Sequence, residues 1–106
     1  MLVTGPRSAL TAFARAARSE LREPIATISG ANPLFLEGAR TLIFTEVNAL
    51  DESGQHRLLE WMNESRNADT QILSLTTARV FAFVQKGFDA NLYYRLNTIY
   101  LELQDS

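Results

Sequence analysis

The run Thr41-Leu42-Ile43-Phe44-Thr45 decides the fold. It is apolar without alternation, and half-buried strands do alternate. A strand apolar along its length is covered on both faces, as in a parallel sheet between helical layers. Downstream, Asp51 or Ser53 begins a helix to about Ser65, with Leu58, Leu59 and Met62 on one face. Gln71 to Thr77 reads as the next strand. Arg79 to Lys86 reads as a helix ending at Gly87, and Asp89 to Leu96 as a further turn or two. Thr98 to Leu103 closes the series as a strand. Upstream, Leu2-Val3-Thr4 is a short strand stopped by the turn signal Gly5-Pro6. Ser8 can cap a helix through about Leu21, with Leu10, Phe13, Ala14, Ala17 and Leu21 at helical spacing. After Pro24, Ile25 to Ser29 reads as a second strand. Gly30 to Arg40 then supplies eleven residues, close to the lower limit of about a dozen for a parallel crossover. Any helix there is small. The order β-α-β-(link)-β-α-β-α-β predicts one α/β domain over residues 1–106, a five-stranded parallel sheet with helices on both faces.

Composition agrees with a globular chain: 46% of the 106 residues are apolar and 21% charged. Ten basic and twelve acidic residues give a net charge of −2, which argues against direct nucleic-acid binding or an anionic membrane surface. The absence of cysteine removes any disulfide or zinc-thiolate site. One histidine, His56, on a polar helical face, supports neither a histidine metal cluster nor a catalytic triad. No apolar run nears the roughly 20 residues of a membrane span, and no signal peptide is evident, so the expected location is the cytoplasm.

Ligands of such sheets bind at the carboxyl ends of the strands. Those positions here are Gly5-Pro6-Arg7-Ser8, Ser29, Thr45-Glu46 and Thr76-Thr77. A phosphate loop of the form GxxxxGK(S/T) needs glycines whose backbone N–H groups cradle phosphate, and a lysine. Gly5-Pro6-Arg7-Ser8-Ala9-Leu10-Thr11 has one glycine, no lysine, and a proline that removes an N–H. The dinucleotide fingerprint is absent. A phospho-accepting receiver domain shares the layout, but its acidic residues after strands one and three and its lysine after strand five have no counterpart in Gly5-Pro6, Thr45-Glu46 and Gln104.

Four segments carry a resemblance. Ala39-Arg40-Thr41-Leu42-Ile43-Phe44-Thr45-Glu46-Val47 resembles GGTLFLDEI, and Gln55-His56-Arg57-Leu58-Leu59-Glu60-Trp61-Met62-Asn63-Glu64 is similar to LQAKLLRVLQE. Gln71-Ile72-Leu73-Ser74-Leu75-Thr76-Thr77 stands in the place of RVIAATN. Phe88-Asp89-Ala90-Asn91-Leu92-Tyr93-Tyr94-Arg95-Leu96-Asn97 resembles FREDLYYRLN and matches it from Leu92 to Asn97. All four motifs belong, in this order, to the ATPase domain of the sigma-54-dependent transcriptional activators, the NtrC-like class of AAA+ proteins. The start, Leu2-Val3-Thr4-Gly5 and then Ala14-Arg15-Ala16-Ala17, looks like the strand, turn and helix of their phosphate loop. The resemblance implies a P-loop-type core with strand order 5-1-4-3-2.

It also implies what has changed. The phosphate-loop lysine is missing from the vestigial loop Gly5, Pro6, Arg7, Ser8, and the magnesium-organising aspartate falls on Thr45, although the adjacent glutamate is kept as Glu46. The strand-two asparagine falls on Ser29 and the sensor asparagine on Thr77. Of two arginines offered to a neighbour's nucleotide, one falls on Asp89 and the other remains as Arg95. The sigma-contacting GAFTGA insertion, the helical lid and a DNA-binding helix-turn-helix have no counterpart in these 106 residues. These parts act on phosphate by positioning and electrostatics. The expected function is therefore a degenerate module acting in transcriptional regulation through protein contacts, without ATP hydrolysis, bound ATP, magnesium or another metal. The alternative is a residual nucleotide-binding ATPase working only within a larger assembly. The expected partners are proteins, either transcription machinery or a sibling regulator domain, and the expected state is a monomer or small dimer. Three structural expectations follow: Thr45 bonds its hydroxyl to backbone, Trp61 and Tyr93-Tyr94 pack on the sheet, and Arg79, or failing that Arg7, contacts Glu46, the alternative being that Glu46 simply faces water.

Overall fold

A computed structural model describes residues 1–33, 38–78, 87–97 and 99–103. The expected helix over Arg79–Lys86 lies outside them. The strands are β1 (Leu2–Thr4), β2 (Ile25–Ile28), β3 (Thr41–Phe44), β4 (Gln71–Thr76) and β5 (Tyr100–Glu102), and the helices are α1 (Arg7–Ala17), α2 (Glu52–Asn63) and α3 (Ala90–Leu96). The five strands form one all-parallel sheet in the order β2-β3-β4-β1-β5. This is the expected order read from the other edge.

Topology and handedness together place the helices. The step from β1 to β2 crosses the sheet in one direction, and every later step returns in the other. Right-handed crossovers therefore put α1 on one face and α2 and α3 on the opposite face. The packing agrees. Leu42 and Phe44 of β3 join Leu58, Trp61, Leu92 and Leu96 in one cluster, whereas Ile43 joins Val3, Leu10, Leu73 and Leu75 in the other. All four residues of β3 are buried, which is why its sequence shows no alternation. Trp61, 7% exposed, is a core residue as expected. Tyr93 packs at the core edge, but Tyr94 is 72% exposed and does not pack on the sheet as expected. Helical spacing turns neighbouring tyrosines about 100° apart, so one faces the sheet and the other solvent.

Element ends differ from the sequence reading for local reasons. The cap of α1 is Pro6 and not Ser8: proline's preset φ, here −61°, starts the helix two residues early, and the Leu10 N–H donates to the Pro6 carbonyl. The helix stops at Ala17, and a 3₁₀ turn over Arg18–Glu20 carries the chain to Leu21. Thr45 and Thr77 lie just past their strands, where loops begin to fan out. At α2 the cap is Asp51, whose carboxylate accepts the Gly54 N–H at 2.7 Å. Gly54 is the residue that lets α2 dock. A Cβ there would overlap the carbonyl oxygen of Ala31, which accepts the Asp51 N–H at 2.8 Å. The Ser74 hydroxyl in the sheet is fully buried and has no hydrogen-bond partner among the described residues. Among the described residues no helix is long and apolar enough to cross a membrane.

Candidate functional site

The carboxyl ends of β1, β3 and β4 bring Gly5, Glu46 and Thr77 to one edge of the sheet. Each is engaged by the chain itself. Gly5 donates its N–H to Thr76 O at 3.3 Å, and the Leu103 N–H donates to Thr4 O at 2.8 Å. A Cβ on Gly5 would sit 2.8 Å from Leu103 Cβ. The glycine thus serves the close approach of the residue following β5. Pro6 and Arg7 continue the turn, and Ser8 is exposed with no side-chain cap formed to α1. A cleft lined by Thr4, Gly5, Arg7, Thr77, Tyr100 and Glu102 lies here. Burial raises the Tyr100 phenol above its ordinary pKa, with the Glu102 carboxylate adding to the effect and then Tyr93. An acidic side chain in this lining works against a phosphate anion.

Glu46 follows β3 and starts a 3₁₀ turn over Val47–Ala49. Both of its carboxylate oxygens accept from the Thr77 backbone N–H, at 3.2 and 3.3 Å. The Thr76 hydroxyl lies 3.5 Å from the same carboxylate but only 2.7 Å from Asn48 Oδ1. A hydroxyl has one proton, and the shorter contact takes it. Thr76 Oγ1 also accepts from the Ala78 N–H at 3.0 Å, and the Thr4 hydroxyl donates to the Ala78 carbonyl at 2.7 Å. The loop after β4 is therefore fastened to β1 and β3 by five hydrogen-bonding groups: Thr4, Glu46, Asn48, Thr76 and Thr77.

Glu46 finds its donor in the Thr77 backbone, and of the two expected arginine contacts only that of Arg7 falls among the described residues. Arg7 lines a neighbouring cleft with Glu46 but makes no ion pair with it. Arg79 lies outside the described residues. Thr76 stands at the strand end the sequence indicates, whereas Asn48 matches no motif position and is found only through its contact with the Thr76 hydroxyl. The Thr76-Thr77 pair, two hydroxyl residues at a strand end, was the available signal.

The other sequence-predicted positions make contacts of their own. Thr45 is exposed beside α1. Its N–H bonds to Ile28 O at 3.1 Å, while its hydroxyl, contrary to expectation, makes no bond to backbone among the described residues. Asp89 is the N-cap of α3 and accepts the Leu92 N–H at 3.0 Å. Gln55 of α2 secures the same junction: its Oε1 accepts the Asp89 N–H at 2.7 Å and its Nε2 donates to Leu50 O at 3.0 Å. Arg95 donates to Asn63 Oδ1 at 2.5 Å and to the Met62 carbonyl at 3.5 Å, at the C-terminal end of α2. Such contacts suit a cation at a helix C-terminus. Ser29 is exposed. Among the described residues no group of three His, Asp or Glu side chains could hold a metal ion.

Comparison with known proteins adds the fold and stops there. No family model matches the chain, and no curated protein matches it. Two solved structures of NtrX from Brucella abortus are similar: one at 17% identity with a TM-score of 0.64, the other, in complex with ADP, at 18% identity with a TM-score of 0.70. They cover 96% and 97% of this chain, which spans only 31% and 32% of theirs. At this identity the likeness establishes the five-stranded parallel α/β architecture.

Proposed function

We propose that this chain is a degenerate ATPase-type domain, similar to that of the sigma-54-dependent activators, that acts in transcriptional regulation through protein contacts and neither binds nor hydrolyses ATP. The observation that carries the reading is the state of Glu46. In the family it resembles, this carboxylate faces water and metal-bound phosphate. Here it accepts the Thr77 backbone N–H, with Thr45 beside it where the magnesium aspartate belongs. The lysine-free turn at Gly5 and the capping role of Asp89 point the same way. The likeness to the two NtrX structures supports the reading at the level of fold, and the ADP in one of them defines the ligand worth testing. A domain of this kind works in the cytoplasm, with transcription machinery or a sibling regulator domain as its contact. The experiment is a phosphate-release assay with Mg-ATP at micromolar protein. The expected result is release at the buffer background. Turnover that Glu46→Gln abolishes would refute the reading.

A further inference from the structure

Because the crossovers after β2 all run on the opposite side, α1 is the one described helix on its face of the sheet. A helix about 10 Å across cannot cover five strands spanning about 19 Å. What remains is an open cleft of about 560 Å³ along α1, over β2 and β3. Its floor is apolar: Leu10, Ile43 and Leu75, each at most 5% exposed. Its rim carries Arg7 and Arg15 of α1 and Arg18 at the cap of that helix, all exposed. Spaced i, i+8 and i+11, they fall within about 80° of one helical face and along about 16 Å of its length. None of the three guanidinium groups has a hydrogen bond or ion pair with another described residue. The helix contains no acidic residue, and the cleft's one carboxylate, Glu46, is turned to the Thr77 N–H.

We propose that this cleft is a docking groove for an acidic amphipathic helix of a protein partner. Its apolar side fills the floor, and carboxylates along one flank pair with Arg7, Arg15 and Arg18. The proposal rests on the protein-contact reading above and gives that reading a surface. A helix suits the groove because it would lie beside α1 at ordinary interhelical spacing and complete the layer. The row of planar guanidinium groups matches carboxylates geometrically, each pair able to form two parallel hydrogen bonds. The chain's net charge of −2 argues against a nucleic-acid backbone as the occupant. A second copy of this chain offers Glu52 and Glu60 on the outer face of α2, where the intervening residues Ser53 and His56 are polar and exposed, so that face has nothing to place on the floor.

The test uses a fluorescein-labelled designed helix of about 16 residues, long enough to span the arginine row, with leucines on one face and glutamates on its flank. A second peptide carries glutamine for glutamate. At low salt the acidic peptide shows saturable anisotropy with the wild-type protein. Binding weakens about tenfold in the Arg15→Glu/Arg18→Glu variant, in Thr27→Trp, which blocks the groove from β2, and in the glutamine peptide. Arg57→Glu, on α2, leaves it unchanged. The buried Trp61 reports that each variant is folded. No saturable binding up to about 1 mM, equal binding by the cleft variants, or equal binding of the glutamine peptide would overturn the proposal. So would a wild-type dimer in sedimentation that Arg15→Glu/Arg18→Glu dissolves, because the occupant would then be a second copy. ATP turnover would defeat the functional reading without emptying this cleft, and failure of peptide binding would leave the phosphate-release result untouched.

Discussion

Replacing Gly54 by alanine sets two physical expectations against each other. In an exposed helix interior the change is favourable by about 1 kcal/mol, since glycine is a poor helix former. Gly54, however, is buried in the first turn of α2, under the loop that leaves β2. Its new methyl group would overlap the Ala31 carbonyl oxygen and stand 3.3 Å from both Ala31 C and Leu50 Cδ2. Backbone, and not a flexible side-chain tip, has to give way. Overpacking of this sort costs about 1–3 kcal/mol. Moving the carbonyl also strains the 2.8 Å bond it accepts from Asp51, a further loss of about 1 kcal/mol. Set against the propensity gain, the expected outcome is a net destabilisation of about 1–3 kcal/mol. Urea unfolding followed through Trp61 reads this directly. With slopes of about 1–3 kcal/mol per molar urea, the midpoint falls by about 1 M. Ser53→Ala, one residue away on the exposed side, is the control and moves it little. A Gly54→Ala midpoint at or above wild type would refute the docking of α2 against the Ala31 loop.

Two further substitutions test particular atoms. Ser74→Ala removes a buried hydroxyl that has no partner among the described residues; relieving that group raises the unfolding free energy by about 1 kcal/mol, and a lowered urea midpoint would show that the hydroxyl is satisfied in solution. Asp89→Ala deletes the cap of α3 and costs about 1 kcal/mol, whereas Asp89→Asn retains most of it because the amide oxygen can accept the Leu92 N–H. If Asp89→Ala matches wild type in chemical unfolding, the capping role is wrong.

The sheet was legible because burial on both faces leaves a direct mark on sequence. Leu42 and Phe44 answer one helical layer and Ile43 the other, so the run shows no alternation. Two helix starts were legible too, since Asp51 and Asp89 are capping residues of a standard type and stand where their helices are expected to begin; the limit shows at α1, where Pro6 and not Ser8 is the cap. Glu46 shows the same limit. Its partner is a backbone N–H, and backbone donors are present at every residue but proline. Sequence therefore cannot single out Thr77 as the donor, whereas an arginine stands out, and Arg7 makes no such pair. The α1 cleft was not legible from motifs. It arises from crossover direction, a property of strand order, although the spacing of Arg7, Arg15 and Arg18 on one face is visible in the sequence.

Calorimetric titration with Mg-ATP, and with ADP in parallel, measures whether the sheet edge at Glu46 still holds a nucleotide. Glu46 is committed to the Thr77 N–H, and the turn at Gly5 offers neither a lysine nor a full set of backbone donors. The account predicts no saturable heat up to about 1 mM nucleotide, weaker than about 4 kcal/mol of binding. A dissociation constant in the low micromolar range, about 8 kcal/mol, would contradict it.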